Sequence, residues 1–206
     1  LTDELYLKMN ARGKKLTHFE NYKAWLLKKY TDQIQIVDWK KKIDLEWNDL
    51  FWNEKVLGDS KIDTAYLQFF KNMFLGDYLL NEDISEKDEN IDLLRLNADF
   101  NPVSLFEKNK IFRENIRDYL AVLEHSSITN LKSKINPLYN EIEDVNKFLF
   151  SKNVGLTWWH TTLYFAITRY IIENENNLTY LNQWVRVISN LIYNTPIESP
   201  KLFNEA

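Results

Sequence analysis

Residues 10–30, NARGKKLTHFENYKAWLLKKY, contain the first helix start that the sequence predicts. Thr17 and Glu20 form a capping box, in which a hydroxyl and a carboxylate satisfy backbone N–H groups at a helix start. Apolar residues at helical spacing then predict a helix that ends near Tyr30. The preceding residues 1–9, LTDELYLKM, alternate as a short β-strand does. Together they predict a strand, a turn and a capped helix.

Helical periodicity then dominates the sequence, and no further strand is evident. We predict an all-α fold, a multi-helix bundle-like array with one short N-terminal β-strand. Because the chain offers no other strand, this one must have lost its neighbours, as if left over from a preceding α/β domain, or must borrow them. The segment 156–172, LTWWHTTLYFAITRYII, is apolar nearly all round and should be the most buried helix. Other helices are expected at 38–53, 63–80, 112–125, 141–150 and 178–193. Trp47, Phe70, Leu163, Phe165 and Trp184 are expected to be largely buried.

The segment 81–102, NEDISEKDENIDLLRLNADFNP, interrupts this pattern. It is acidic, lacks a sustained period and ends in Asn-Pro, which disfavours helix at the residue before the proline. We therefore expect a long, exposed acidic loop without a long helix.

Charge is distributed unevenly along the 206 residues. The chain has 26 Lys and Arg against 30 Asp and Glu, a formal net charge of −4. Residues 1–42 hold ten Lys or Arg and five Asp or Glu, so this part is basic and the remainder is acidic. A basic first part suits a phosphate-bearing partner such as DNA, although the lysines could equally be the solvated face of a helix.

Other features of the sequence limit the catalytic chemistry that the protein can perform and the compartment in which it is expected. The chain has no cysteine, which excludes disulfides and thiolate catalysis and is compatible with the cytoplasm. No apolar run is long enough to span a bilayer, so we expect no membrane partner. His18, His125 and His160 fall on different elements, and no metal site is readable from their spacing. No glycine-rich phosphate loop and no Gly-x-Ser-x-Gly elbow is present, so we predict no catalytic residue and no metal ligand.

Residues 10–24 also match a longer pattern, Asn-x-Arg-Gly-x-x-Leu-Thr-x-Phe-Glu-x-x-Lys-Ala. This pattern resembles the end of the ParB/sulfiredoxin-like domain in the GmrSD-type restriction family, also described as domain of unknown function 262. The blocks 43–52, 62–70 and 184–197 are similar to recurring blocks in the helical part of longer members. The resemblance implies that this chain is an internal fragment, in which residues 1–30 are the exit of the ParB-like domain and residues 31–206 are a helical domain.

The resemblance implies a role in phage defence. Members are similar to modification-dependent restriction systems, in which a ParB-like domain binds or hydrolyses a nucleotide and an HNH-type domain cuts DNA. The full-length protein would thus use an NTP with Mg²⁺, and its partners would be DNA, the nucleotide and the upstream ParB-like domain. This chain contains no Asp-Gly-Gln-Gln-Arg motif and no His-Asn-His cluster. We therefore expect no cofactor and no activity in the fragment by itself.

The candidate site residues are Asn10, Arg12, Gly13, Lys14 and Lys15, as a nucleotide- or phosphate-lining loop. Gly13 permits a turn that bulkier residues resist, Arg12 offers a forked cation, and the lysines precede a helix N-terminus. Equally, Arg12 could pair with an acidic residue, with the turn only connecting strand to helix. A DNA-binding or regulatory adaptor and a purely structural helical scaffold remain the alternative functions.

Overall fold

The computed structural model describes residues 16–32, 34, 36–53, 62–80, 88–128, 145–151, 153–174, 177–195 and 199. Within these ranges the chain is all-α and contains no strand, which confirms the predicted fold class. The predicted strand at residues 1–9 lies outside them. The described helices are α1 His18–Tyr30, α2 Trp39–Lys42, α3 Glu46–Asn53, α4 Ile62–Leu79, α5 Glu89–Leu96, α6 Val103–Lys108, α7 Lys110–Ile128, α8 Val145–Phe150, α9 Trp158–Glu173 and α10 Leu181–Tyr193.

Helix α1 begins and ends as its sequence predicts. The Thr17 hydroxyl accepts a hydrogen bond from the Glu20 backbone N–H at 3.1 Å, and the Glu20 carboxylate accepts from the Thr17 backbone N–H at 2.6 Å. This reciprocal pair is the capping box. Lys28 and Lys29 occupy the last turn, where cations favour the negative end of the helix dipole.

The helix expected over residues 38–53 is divided into α2 and α3 by a turn at residues 43–45. Asp44 in this turn forms an ion pair with Lys23 of α1 at 2.6 Å, which holds the turn against α1. Helix α4 lies within one residue of the helix predicted at 63–80.

Helix α4 is the centre of the fold. Every residue from Ala65 to Leu79 is buried, because α4 packs against α1, α3, α5, α7, α8 and α9. The prediction that α9 would be the most buried helix is therefore wrong. Buried residues of α9 lie on one side of the helix, and much of its other side is only partly covered. Because α4 contains several buried polar residues, its sequence did not indicate that it lies at the centre of the fold.

Stacked aromatic rings connect α1, α3 and α4, which explains the high aromatic content. Tyr66 of α4 stacks on Phe19 of α1, with ring centroids 4.4 Å apart, and on Phe51 of α3 at 4.1 Å. A second stack at 4.1 Å joins Phe106 of α6 to Phe112 of α7. These pairs bury large apolar areas and add a preference for particular ring orientations.

The prediction of an acidic loop at residues 81–102 is wrong over residues 89–96, because these residues form helix α5. The Asp88 carboxylate caps this helix by accepting from the Asn90 backbone N–H at 2.9 Å, and Ile91 and Leu94 are buried. Two turns are too short to show a sustained period, which is why the sequence pattern missed the helix. Pro102 directly precedes α6. Proline disfavours helical backbone at the residue before it, but it is well suited to the start of a helix. Residues 81–87 lie outside the described residues.

Three of the five residues expected in the core are confirmed there: Trp47, Phe70 and Leu163 are fully buried. Phe165 and Trp184 are only partly covered, and both line a groove beside α9. None of the described helices is both long enough and apolar enough to cross a membrane.

Close contact between α4 and α9 depends on Gly76, and this dependence can be tested with Gly76→Ala. Alanine normally stabilises a helix interior by about 0.5–1 kcal/mol relative to glycine. Here the added Cβ would overlap Cδ2 of Phe165 and lie 3.2 Å from its Cγ. We expect urea denaturation to show a loss of about 1–3 kcal/mol in the free energy of unfolding, as for other overpacked cores.

The matched control for this prediction is Gly76→Ala in a Phe165→Ala background. With the ring removed, the same substitution should become stabilising, because only the helix propensity of alanine remains. A stabilising effect of equal size in both backgrounds would contradict the close contact.

Candidate functional site

The predicted phosphate-lining residues Asn10, Arg12, Gly13, Lys14 and Lys15 lie outside the described residues. That site therefore stays a prediction. No group of three His, Cys, Asp or Glu side chains that could hold a metal occurs within the described ranges. A Mg²⁺ site for the implied nucleotide likewise stays a prediction.

The second half of the sequence motif anchors α1 to the rest of the fold. The Thr17 hydroxyl donates to the Asp63 carboxylate at the start of α4, at 2.7 Å. Phe19 stacks on Tyr66, and Lys23 forms its ion pair in the turn between α2 and α3. Three motif side chains thus make contacts to residues far along the chain. The motif fixes the place and direction of the helix that follows the predicted loop.

Lys71 in the middle of α4 caps the end of a neighbouring helix. Its ammonium group donates to the backbone carbonyls of Asn97 at 2.9 Å and Ala98 at 3.3 Å, just beyond the last turn of α5. Gln68 donates to the Leu94 carbonyl at 3.0 Å in the same region. These donors satisfy carbonyls that a helix end leaves without intrahelical partners.

Burial lowers the pKa of Lys71 from its ordinary 10.5 to about 8, although the nearby carboxylate of Asp99 opposes the shift. A lysine pKa in this range also occurs at catalytic lysines. Here both hydrogen bonds of the ammonium group go to the main chain, and the side chain is fully buried. We therefore assign Lys71 a structural role.

Near the C-terminal end of α4, Asp77 is the centre of a second buried polar cluster. Its carboxylate accepts from the Tyr119 hydroxyl and from the Asn115 side-chain amide, both at 2.7 Å, and forms an ion pair with Arg169 of α9. Arg169 also lies 3.5 Å from a carboxylate oxygen of Asp118. Burial, and then the charge of Asp77, raises the pKa of Tyr119, so this hydroxyl stays protonated. The cluster joins α4, α7 and α9.

Arg169 connects this cluster to a groove between α9 and α10. The groove has a volume of about 580 Å³, within the range of ligand sites. Its walls are mainly apolar and include Phe165 and Trp184, with Arg169 and Glu173 as its charged members. Trp184 is oriented by donating its indole N–H to the Ala166 carbonyl at 2.9 Å.

The sequence analysis missed this groove because it expected Phe165 of α9 and Trp184 of α10, which line it, to be largely buried. Leu181, Val185 and Ile192 are buried, but Leu191 is 59% exposed and Val187 is 52% exposed. At 100° per residue, the apolar positions of α10 from Val187 round to Val185 span an arc of about 160°, which is wider than the roughly 100° stripe of a helix that packs on one neighbour. The width of that arc was the sequence feature that could have indicated an uncovered apolar surface on α10.

Comparison with protein-family models, with curated proteins and with solved structures gives no match for this chain. The functional argument therefore depends on the motif residues and on the described geometry.

The capping role of Lys71 predicts a particular dependence of stability on pH. Because its pKa is lower in the folded than in the unfolded chain, the unfolded chain binds more protons between about pH 8 and 10.5. The Lys71 contribution to the free energy of unfolding should therefore increase with pH over this interval. A neutral amine still donates to both carbonyls, so the contacts persist.

Urea denaturation of the wild type and of Lys71→Met from pH 7 to pH 10 measures this contribution. We expect the free-energy difference between the two proteins to increase in favour of the wild type as pH rises. Lys41→Met, at an exposed position of α2, is the control and should follow the wild-type profile. A difference that is constant with pH would show that Lys71 is not desolvated in the fold.

Proposed function

We propose that this chain is the helical part of a bacterial defence protein that cleaves DNA in a nucleotide-dependent manner. In this proposal it holds no catalytic centre of its own and serves as the rigid base for the Asn10–Lys15 loop. The observation that carries the proposal is the anchoring of α1 by the motif residues Thr17, Phe19 and Lys23. These contacts fix the helix that directly follows the predicted loop.

The anchoring has a mechanical consequence. Gly13 precedes Thr17 by four residues, so the length of the chain keeps Gly13 within about 14 Å of the fixed helix start. The N-terminus of α1 and the cations Arg12, Lys14 and Lys15 would together favour an anion there. A ligand that moves this loop would act on α3 and α4 through α1, which suits a module that links nucleotide binding to a DNA-cleaving domain.

A DNA-binding adaptor is the second candidate, and exposed cations favour it. Lys28, Lys40, Lys41 and Arg113 are exposed, and Arg113 contacts Tyr30, so the end of α1 lies beside the start of α7. Acidic residues interrupt this surface, and Lys29 is paired with one of them, Glu107, at 2.7 Å. Such a surface would bind the phosphate backbone weakly and with strong salt dependence.

The proposed function predicts the effect of Arg12→Ala in the complete product of the gene. Nucleotide binding or turnover should fall, because a forked guanidinium can clamp a phosphate and alanine cannot. The free energy of unfolding should change by no more than about 1 kcal/mol. Lys28→Ala is the matched control, since it removes a cation from the other end of α1 and should leave turnover unchanged.

Three results separate the candidates. Normal turnover with a loss of several kcal/mol of stability would make Arg12 a structural ion-pair residue and end the phosphate-lining assignment. Wild-type protein without nucleotide-dependent DNA cleavage would contradict the restriction role itself. Steep salt-dependent DNA binding by the 206-residue chain, reduced by Lys40→Ala with Lys41→Ala, would instead support the adaptor.

A further inference from the structure

Helix α10 carries one wide arc of apolar residues that is covered mainly on one side. Leu181, Val185 and Ile192 are buried, and α9 is the principal neighbour of α10 among the described helices. A second stripe consists of Trp184, Val187, Ile188 and Leu191, at the i, i+3, i+4 and i+7 spacing of a helix face. Monomeric proteins seldom leave a contiguous apolar stripe of this kind without a binding role.

The shape of the surface favours an elongated occupant. From Trp184 to Leu191 the stripe rises about 11 Å, or two helical turns, and the exposed Tyr180 continues the same face by about one more turn. Trp184, Ile188 and Leu191 of this stripe form one wall of the groove, and Phe165 and Arg169 of α9 lie on the other wall. A third helix laid along this groove would pack on α9 and α10 together. A compact ligand would fill the cavity but leave part of the stripe uncovered.

The charges around the groove select the kind of helix. Arg169 is the cation of the groove lining, and its guanidinium is already engaged by Asp77 and Asp118. Glu173 is exposed at the groove and forms no ion pair with any residue in the described part of the chain. Since Asp77 already offsets the charge of Arg169, the exposed Glu173 leaves this part of the groove with a net formal charge of −1, so a basic occupant is favoured over an acidic one.

We propose that the groove between α9 and α10 binds an amphipathic helix of a partner protein that carries Lys or Arg beside its apolar face. The apolar residues of that helix pack on Trp184, Ile188 and Leu191, and its basic residues lie beside Glu173. This is the helix-in-groove mode of recognition. The inference rests on the groove alone and does not depend on the proposed function.

A second copy of this chain is a poorer occupant. A two-fold related α10 would bring a second Glu173 toward the same surface. The basic residue of α10, Arg186, lies on the opposite side of the helix from Trp184 and Leu191 by helical spacing. The copy would therefore supply the apolar stripe without the compensating cations.

Two synthetic peptides of 18 residues test the proposal on the 206-residue chain. Both have leucine on one helical face, and the other face is lysine in one peptide and glutamate in the other. Calorimetric titration should show that the lysine peptide binds at least about tenfold more tightly. Glu173→Lys should reduce or reverse this preference.

A matched pair of variants locates the binding site. Leu191→Asp places a charge in the stripe and should weaken binding of the lysine peptide by about tenfold or more. Tyr193→Asp introduces the same charge two residues away at a position that is 85% exposed and outside the stripe, and it should leave the affinity almost unchanged. Because both residues are exposed, circular dichroism should show the same helix content in both variants.

Several outcomes would overturn the proposal. Equal binding of the two peptides, no binding of either, or equal effects of the two variants would each exclude a basic helix in this groove. A concentration-dependent dimer in sedimentation equilibrium that Leu191→Asp abolishes would show that a second copy is the occupant instead.

Discussion

The fold depends on the demand of buried polar groups for hydrogen-bond partners, and that demand is concentrated in α4. A polar or charged side chain that loses water without a partner costs more than most single contacts return. Four such residues, Gln68, Lys71, Asn72 and Asp77, lie within the fully buried part of this helix. Gln68 and Lys71 donate to carbonyls at the end of α5, Asn72 donates to the Asn153 carbonyl, and Asp77 binds side chains of α7 and α9, so α4 dictates where these segments pack.

The same demand shapes the groove. Asp77 draws Arg169 toward the core, and Arg169 in turn holds one side of α9 against α4. The other side of α9 is shared between α10 and the open groove, which is why its sequence is apolar nearly all round although it is not the most buried helix. The acidic character of the groove is therefore partly a consequence of core packing, because Asp77 and Asp118 offset the charge of Arg169.

Short sequence motifs predicted the fold well where the residues of the motif have one main structural role. The capping box at Thr17 and Glu20 marked the start of α1, and the capping contacts form as expected. Signals failed where tertiary context decides. Lys71 and Asp77 resemble surface residues in the sequence, and only their partners on other helices explain their burial. The groove could not be found from the motif, because it depends on which part of the wide apolar arc of α10 is left uncovered.

Amide hydrogen exchange tests the central place of α4 most directly. If α4 organises the fold, its amides from Ala65 to Leu79 should exchange most slowly and only through global unfolding, while those of α10 exchange through smaller openings. The exchange free energies of α4 should then equal the free energy of unfolding from urea denaturation. Faster exchange in α4 than in α9 would contradict the account and would restore α9 as the structural core.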